Sequence, residues 1–289
     1  MNPMPEGSPG NDIGNAHSAG RCLRAAQDRS MTVALVLAGS RRAFDPVAAS
    51  AKKWLKAFVE IEGRSMVERV TTTLRASERF HSIQICLPTD VPVERDCPWL
   101  EASARRGEVN RVAAAGSPAA SVLRVLEAVP DQATLVVTTA DHPLLSVDMV
   151  QAFFAGLEAG QADAFGALAD VTAIRARYPE MRRTALKFRD GACAGCNLFA
   201  FRRTAAPVVR FFQQLEDHRK QPFRLARHLG YGTLLRYLMG RLTLDDALSQ
   251  LERKTGVRLQ IIRLVDPHAG IDVDSLDDLQ AVRAIMGAR

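Results

Sequence analysis

Four short stretches of this sequence carry side chains that could do chemistry together. The first follows Thr32–Leu37 (TVALVL), an apolar, β-branched run that stops at Ala38-Gly39-Ser40. A glycine turn after a buried strand lets backbone N–H groups come close to phosphate oxygens. The segment behind it supplies Arg41, Arg42, Lys52, Lys53 and Lys56, cations suited to a triphosphate. It is not a Walker A loop, since GKS and GKT are absent, and it lacks the spaced glycines of a dinucleotide fingerprint. A solvated basic connection between strand and helix would have the same composition, so this loop alone decides nothing.

The second stretch is Thr138–Val150 (TTADHPLLSVDMV), where Asp141 follows another apolar run. A carboxylate at a strand's end beside a triphosphate is where a divalent cation would be held. Mg²⁺ takes one or two protein carboxylates and fills its other positions with phosphate oxygens and water. An Asp that caps the turn before Pro143 is the plainer alternative. The third stretch, Ile271–Leu279 (IDVDSLDDL), reads locally as a helix start, with Ser275 as N-cap and Asp278 at the third position of a capping box. Asp272 and Asp274 stay outside that account, and in an extended segment they point to opposite sides. The fourth, Gly195-Cys196-Asn197-Leu198-Phe199, reads as a tight turn entering a strand.

The elements that must hold these residues become regular from Met31. Thr32–Leu37 reads as a strand buried on both faces, the kind found in parallel sheets. Ser65–Ala76 places Met66, Val70 and Leu74 at helical spacing, and His81–Leu87 is a second strand. Ser117–Val129 is helical, with Val122, Val125, Leu126 and Val129 on one stripe, and Thr134–Thr139 is a third strand. Strand, helix, strand, helix, strand at this spacing predicts βαβ units and a parallel sheet covered on both faces. Ligands of such sheets sit beyond the carboxyl ends of the strands, so Gly39 and Asp141 should face one crevice. Farther on, Ala185–Phe188 and Asn197–Phe201 read as strands about a Gly/Cys turn. Ala205–Gly256 is mostly helical and basic, with a Thr243–Lys254 helix capped by Thr243; Leu259–Val265 returns as a strand and a short helix from Ser275 closes the chain.

Composition bounds the rest. Of 289 residues, 47% are hydrophobic and 24% charged, which suits a globular protein with a sizeable core. No apolar run approaches the eighteen or so residues of a spanning helix, and the first thirty residues hold no apolar signal core. We expect a cytoplasmic protein with residues 1–30 as a disordered tail. The net charge of +6 suits anionic partners. Five cysteines at irregular spacing give no disulfide framework, and the lone CxxC, Cys193 to Cys196, has no second pair at zinc-finger spacing. No nucleophile–His–acid set is visible. Only 6% of residues are aromatic and none form a stripe between the cations, so nucleic acid is not an expected partner.

The order of the four stretches resembles the nucleotidyltransferases with a glycosyltransferase-A-like fold, among them molybdenum-cofactor guanylyltransferase-like proteins and sugar-phosphate nucleotidyltransferases. Their pattern is a strand, Leu-Ala-(Ala)-Gly, a glycine- and arginine-containing loop, Pro-Lys-(Ala/Pro), a short strand, Gly-Lys-Pro-Met and a helix. This chain offers Leu37-Ala38-Gly39-Ser40-Arg41, then Lys56-Ala57, then Gly63-Arg64-Ser65-Met66. The usual second glycine is missing and the loop from Gly39 to Lys56 is long, so Lys52 and Lys53 compete with Lys56 for the triphosphate role.

The resemblance implies an α/β, three-layer Rossmann-like (glycosyltransferase-A-like) fold: a mostly parallel sheet with helices on both faces and a C-terminal helical insertion. Residues 31–289 would form one NTP-transferase domain, with the insertion at about 205–256. Leu37, Ala38, Gly39, Ser40, Arg41 and Lys56 would bind nucleotide, with Arg41 and Lys56 catalytic. Gly116, Ser117 and Ser121 lie where the family reads the base, although Ser117 is equally a plain helix cap. Gly195 and Asn197 would hold the acceptor. Asp141 would bind Mg²⁺ together with one C-terminal aspartate, Asp272 in preference to Asp274, because Ile271–Leu279 resembles the family's closing Asp-(Ile/Val)-(Asp/Asn)-Thr-Pro-(Glu/Asp)-Asp-Leu. His142 would be a structural neighbour rather than a base.

The implied reaction transfers a nucleoside monophosphate from a nucleoside triphosphate, CTP or GTP, to a phosphorylated small molecule. A nucleotide-sugar-dependent glycosyltransferase of the same fold is one rival, but such enzymes carry Asp-x-Asp where this chain has Asp141-His142-Pro143. A non-catalytic nucleotide-binding regulatory protein is the other, and the retained order of acidic and basic elements speaks against it. In the basic helical stretch, Phe223, Leu225, Leu229, Leu234, Leu235 and Leu238 alternate with Arg219, Lys220, Arg224, Arg227, Arg236 and Arg241. A flank over the acceptor side is the expectation there; peripheral membrane contact or a lipid-linked acceptor is the alternative.

Overall fold

The computed structural model describes residues 31–39, 44–181, 185–218 and 230–288. Its first strand, β1 (Thr32–Leu37), is followed by helix α1 (Pro46–Ser50) and a hairpin of β2 (Glu60–Ile61) and β3 (Arg64–Ser65). The hairpin turns on Glu62 and Gly63, at φ 49° and 71°, the pair of positive values that a two-residue turn of the favoured hand requires. Next come α2 (Met66–Ala76), β4 (Ser82–Leu87), α3 (Val93–Asp96), α4 (Pro98–Arg105) and β5 (Asn110–Ala113). The chain then runs through α5 (Pro118–Ala128), β6 (Thr134–Thr139), α6 (Val147–Ala159), β7 (Ala164–Asp170) and α7 (Val171–Arg177). A second hairpin pairs β8 (Leu186–Phe188) with β9 (Gly191–Phe201). Helices α8 (Ala206–His218), α9 (Tyr231–Leu238) and α10 (Leu244–Thr255), strand β10 (Leu259–Leu264) and α11 (Leu276–Gly287) complete it.

The main sheet runs β10-β7-β9-β6-β1-β4-β5, with β8 on the edge of β9. All pairings along it are parallel except those of β9, which runs antiparallel to both β6 and β7. Alternation along β1 shows why both faces are covered. Val33 and Leu35 enter one core with Val122 and Leu126 of α5 and Val208 and Val209 of α8. Ala34 and Val36 enter the other with α2, α6 and Leu279 and Val282 of α11. This is the layered, mostly parallel α/β architecture that the sequence predicts. From β1 the chain builds outward through β4 and β5, then returns to lay β6 on the other side of β1. The strand order therefore reverses between β1 and β6, the place where sheets of this kind leave a ligand crevice. Gly39 and Asp141 follow those two strands.

One segment differs from the sequence reading. The Gly/Cys stretch expected as a turn before Asn197 belongs to β9, which starts at Gly191 and has 11 residues. The register explains it. Gly195 pairs with Leu168 and Phe199 with Gly166, so Cys196, Asn197 and Leu198 together oppose Ala167 alone. The irregularity is thus a bulge inside a strand and not a loop before one. Bulges of this kind re-aim a side chain while pairing continues on either side.

Ile85, on β4 beside β1, is fully enclosed. Ile85→Ala should cost about 2–5 kcal/mol, the usual range for truncating a buried aliphatic side chain. Urea unfolding should register this as a lower midpoint at unchanged slope.

Candidate active site

Lys56 opens a single 3-10 turn, Lys56–Phe58, whose neighbours Leu55, Ala57, Phe58 and Val59 are all buried. The apolar residues pin the backbone and leave the lysine as the side chain that projects. The turn is held from both sides. Met66 N–H donates to Val59 O at 3.0 Å, and Trp54 N–H donates to a carboxylate oxygen of the buried Asp96 at 2.6 Å. Lys53 is drawn to the same place, its Nζ donating to Asp96 O at 2.8 Å, while Lys52 is exposed. Of the three lysines, Lys56 is therefore the one aimed at the end of β6.

There its ammonium lies 2.8 Å from Asp141 Oδ2 and 3.0 Å from Asp274 Oδ1. Lys56 and Asp141 are largely enclosed, with side chains 16% and 20% exposed, while Asp274 is open to solvent at 70%. Burial pushes the Lys56 amine down, but Asp141 and Asp274 outweigh it and hold the amine above its ordinary range. The backbone around Asp141 ties the C-terminal segment to the same spot: Val273 N–H donates to Asp141 O at 2.8 Å. Val273 is fully buried, which places Asp272 and Asp274 to either side of it. Ser275 then starts α11 with the expected reciprocal capping box to Asp278, fixing the backbone at Asp274.

The two C-terminal aspartates, of which Asp272 is the one preferred from sequence for the metal, meet different partners. Asp272 Oδ2 accepts from Asn197 Nδ2 at 2.8 Å, and Asp274 is the one that meets Lys56. Asn197 reaches it from the β9 bulge with φ 49°, a left-handed conformation that Asn tolerates better than most residues. Gly195, two residues earlier, is exposed with open space above its Cα. Gly39 is exposed at the end of β1, next to Ala38, whose N–H still pairs with Cys86 O at 2.8 Å, and Leu37 O accepts from Ala140 N–H at 2.9 Å. Ser40, Arg41 and Arg42 lie outside the described residues.

At the end of α5's leading loop, Gly116 is exposed and Ser117 is the helix N-cap, its Oγ accepting from Ala120 N–H. Ser121 is buried, and its hydroxyl both donates to Ser117 O and accepts from Ala115 N–H, each at 2.9 Å. Its hydroxyl thus joins the two ends of this loop. His142 is buried next to Asp141 with Nε2 3.2 Å from His268 O, a structural contact. Cys193 and Cys196 are free buried thiols, and burial, reinforced by Cys193, pushes Cys196 up to about 12.

A chain absent from the sequence reading appears beside the site. Tyr178 Oη is 2.5 Å from His268 Nε2, and His268 Nδ1 is 2.8 Å from Asp266 Oδ1. The three residues come from the end of α7 and the turn after β10, which only the fold brings together. No sequence spacing announces them.

Three oxygens at the end of β6, Thr138 Oγ1, Thr139 Oγ1 and Asp141 Oδ1, are buried without a hydrogen-bond partner among the described residues. Buried polar atoms are nearly always paired, so an orphaned carboxylate oxygen at a crevice fits a cation. Among the described residues no group of three or more His, Cys, Asp or Glu side chains is gathered for a metal. A cation held by one or two carboxylates plus phosphate oxygens needs no such cage. Among the described residues no helix is long and apolar enough to cross a membrane.

At the switch point, Gly39 follows β1, Asp141 follows β6, and Lys56 pairs with both Asp141 and the C-terminal Asp274. The chain matches the MobA-like NTP transferase domain over residues 34–258 and belongs to that family. Among solved structures, a hypothetical transferase from Thermus thermophilus is similar at 27% identity and TM-score 0.71, over 86% of this chain and 99% of that one. The 4-diphosphocytidyl-2C-methyl-D-erythritol synthase of Anaerococcus prevotii shares the fold at 12% identity and TM-score 0.54, over 90% and 100% of the two chains. A CMP:2-keto-3-deoxy-manno-octonic acid synthetase complexed with CTP does so at 13% and 0.55, over 90% and 99%. No curated protein sequence matches the chain.

The geometry separates Lys56 from Lys52 experimentally. Lys56→Ala should lower kcat/KM for the nucleotide by roughly 10²-fold, the usual loss on removing one preorganised charge-stabilising group. Lys52→Ala, at an exposed side chain, should change it by no more than about twofold. Steady-state kinetics on the purified variants checks both, and equal small effects would return the segment to a solvated basic loop.

Proposed function

We propose that this nucleotidyltransferase moves a nucleoside monophosphate from a nucleoside triphosphate onto a phosphorylated small-molecule acceptor, with release of pyrophosphate and dependence on Mg²⁺. The observation that carries the reading is the Lys56–Asp141 pair at 2.8 Å beside the end of β1, with the second Asp141 oxygen buried and unpartnered among the described residues. Asp141 and Asp274 would hold the cation, whose contribution when bound is to offset charge on the phosphates. CTP and GTP are the nucleotides to test first: the neighbours named above include a CTP complex, and the family is MobA-like.

The chain's own residues then divide the work. The backbone from Leu37 to Gly39 lies where it can approach phosphate oxygens, and Lys56, with Arg41 from the same loop, neutralises the triphosphate. Asn197 and Gly195, on the neighbouring strand β9, would orient the acceptor. An acceptor phosphate oxygen attacks the α-phosphorus, the bond to the bridging oxygen breaks, and pyrophosphate leaves. A phosphate monoester is already an adequate nucleophile, so this step needs no side-chain base. Alignment and charge neutralisation supply the acceleration.

Incubating the protein with Mg²⁺, each of four nucleoside triphosphates and a pool of phosphorylated metabolites should release pyrophosphate with one nucleotide and one acceptor class. Asp141→Asn should remove at least ~3 kcal/mol of transition-state stabilisation, a loss of more than a hundredfold, without altering the thermal melt. Wild-type turnover in that variant would dismiss the assignment of Asp141.

A further inference from the structure

The placement of Lys56 carries a consequence beyond charge neutralisation of the nucleotide. Its ammonium lies within 3.0 Å of carboxylate oxygens from two distant segments, Asp141 and Asp274, which would otherwise face one another as like charges. A divalent cation held by those carboxylates needs the same oxygens, and two cations cannot share the space between them. Asp141 Oδ1 stays buried and without a partner among the described residues even with Lys56 in place, so the ammonium does not satisfy both oxygens of Asp141. The backbone under Lys56 is fixed by buried neighbours, but the ammonium ends four flexible bonds away and can turn toward an incoming anion.

We propose that Lys56 is the resident counter-ion of the nucleotide-free site, so that divalent metal and nucleotide bind as a coupled pair. This rests on the reading of Asp141 and Asp274 as the metal carboxylates. Without nucleotide the ammonium holds the carboxylates and excludes the metal. With nucleotide, the phosphate oxygens offer the ammonium a second partner, and the carboxylates become available. By linkage, whatever nucleotide does for metal affinity, metal does for nucleotide affinity. The device keeps two carboxylates folded together without a metal and discourages metal from occupying the crevice alone.

The test is Mn²⁺ titration of the full-length protein without nucleotide, following free Mn²⁺ by electron paramagnetic resonance. Lys56→Met should bind Mn²⁺ at least tenfold more tightly than the wild type, and adding Asp141→Asn should abolish the gain. Mn²⁺ affinity in Lys56→Met equal to or weaker than that of the wild type overturns the proposal. A wild-type measurement guards against a misfolded variant. Saturating Mn²⁺ should accelerate acetic anhydride labelling of Lys56, read by mass spectrometry, and an unchanged rate while Mn²⁺ is bound also overturns it. The two readings fail differently. If Lys56→Met binds no tighter while the wild type turns over nucleotide with Mn²⁺, only the counter-ion role is lost. If neither protein takes up Mn²⁺ with or without CTP or GTP, the metal reading falls with it.

Discussion

Two carboxylates from distant parts of the chain, Asp141 and Asp274, meet on a single ammonium, and the surrounding structure is organised around keeping that contact possible. The lysine is held by a turn whose other side chains are buried, and Asp96 anchors the backbone two residues ahead of it. The aspartates are brought together by one backbone hydrogen bond, from Val273 to Asp141, and by the capped start of α11. Partial burial of the lysine and Asp141 strengthens their attraction relative to water but makes an unpaired charge there costly. Removing the lysine would therefore leave the two carboxylates facing one another, whereas removing either aspartate leaves an ion pair.

The sheet explains why these pieces converge. Strand order reverses between β1 and β6, so the ends of those strands open side by side, and the antiparallel β9 brings its bulge to the same rim. The bulge sets Asn197 in a left-handed conformation and directs its amide to Asp272. The two C-terminal aspartates are thereby given different partners: Asp272 tethers the β9 side of the crevice, and Asp274 the lysine side. Tyr178, His268 and Asp266 form a further hydrogen-bonded chain at the turn that precedes Asp272, bracing the return segment from the outer strands.

What the sequence made legible follows physical range. The strands and helices around the site came from hydrophobic period and caps, which are local: Ser117, Thr243 and Ser275 all cap the helices they were read to cap. Gly39 and Asp141 could be placed on one rim because both end buried parallel strands. The choice among Lys52, Lys53 and Lys56 was not legible, because it depends on Asp96, which lies some forty residues away. That Asp272 meets Asn197 while Asp274 meets Lys56 depends on a bulge that pattern reading took for a turn, since an extra pair of residues in a strand leaves no periodic trace. The Tyr178–His268–Asp266 chain had no local signal at all.

The most direct test of nucleotidyl transfer follows where the phosphates of the nucleotide go. With the acceptor class identified, CTP or GTP labelled at the α-phosphate should deliver its label to the acceptor product, while label at the γ-phosphate should leave wholly as pyrophosphate. Release of the γ label as orthophosphate, or its appearance on the acceptor, would contradict the account and mark the crevice as a hydrolase or kinase site.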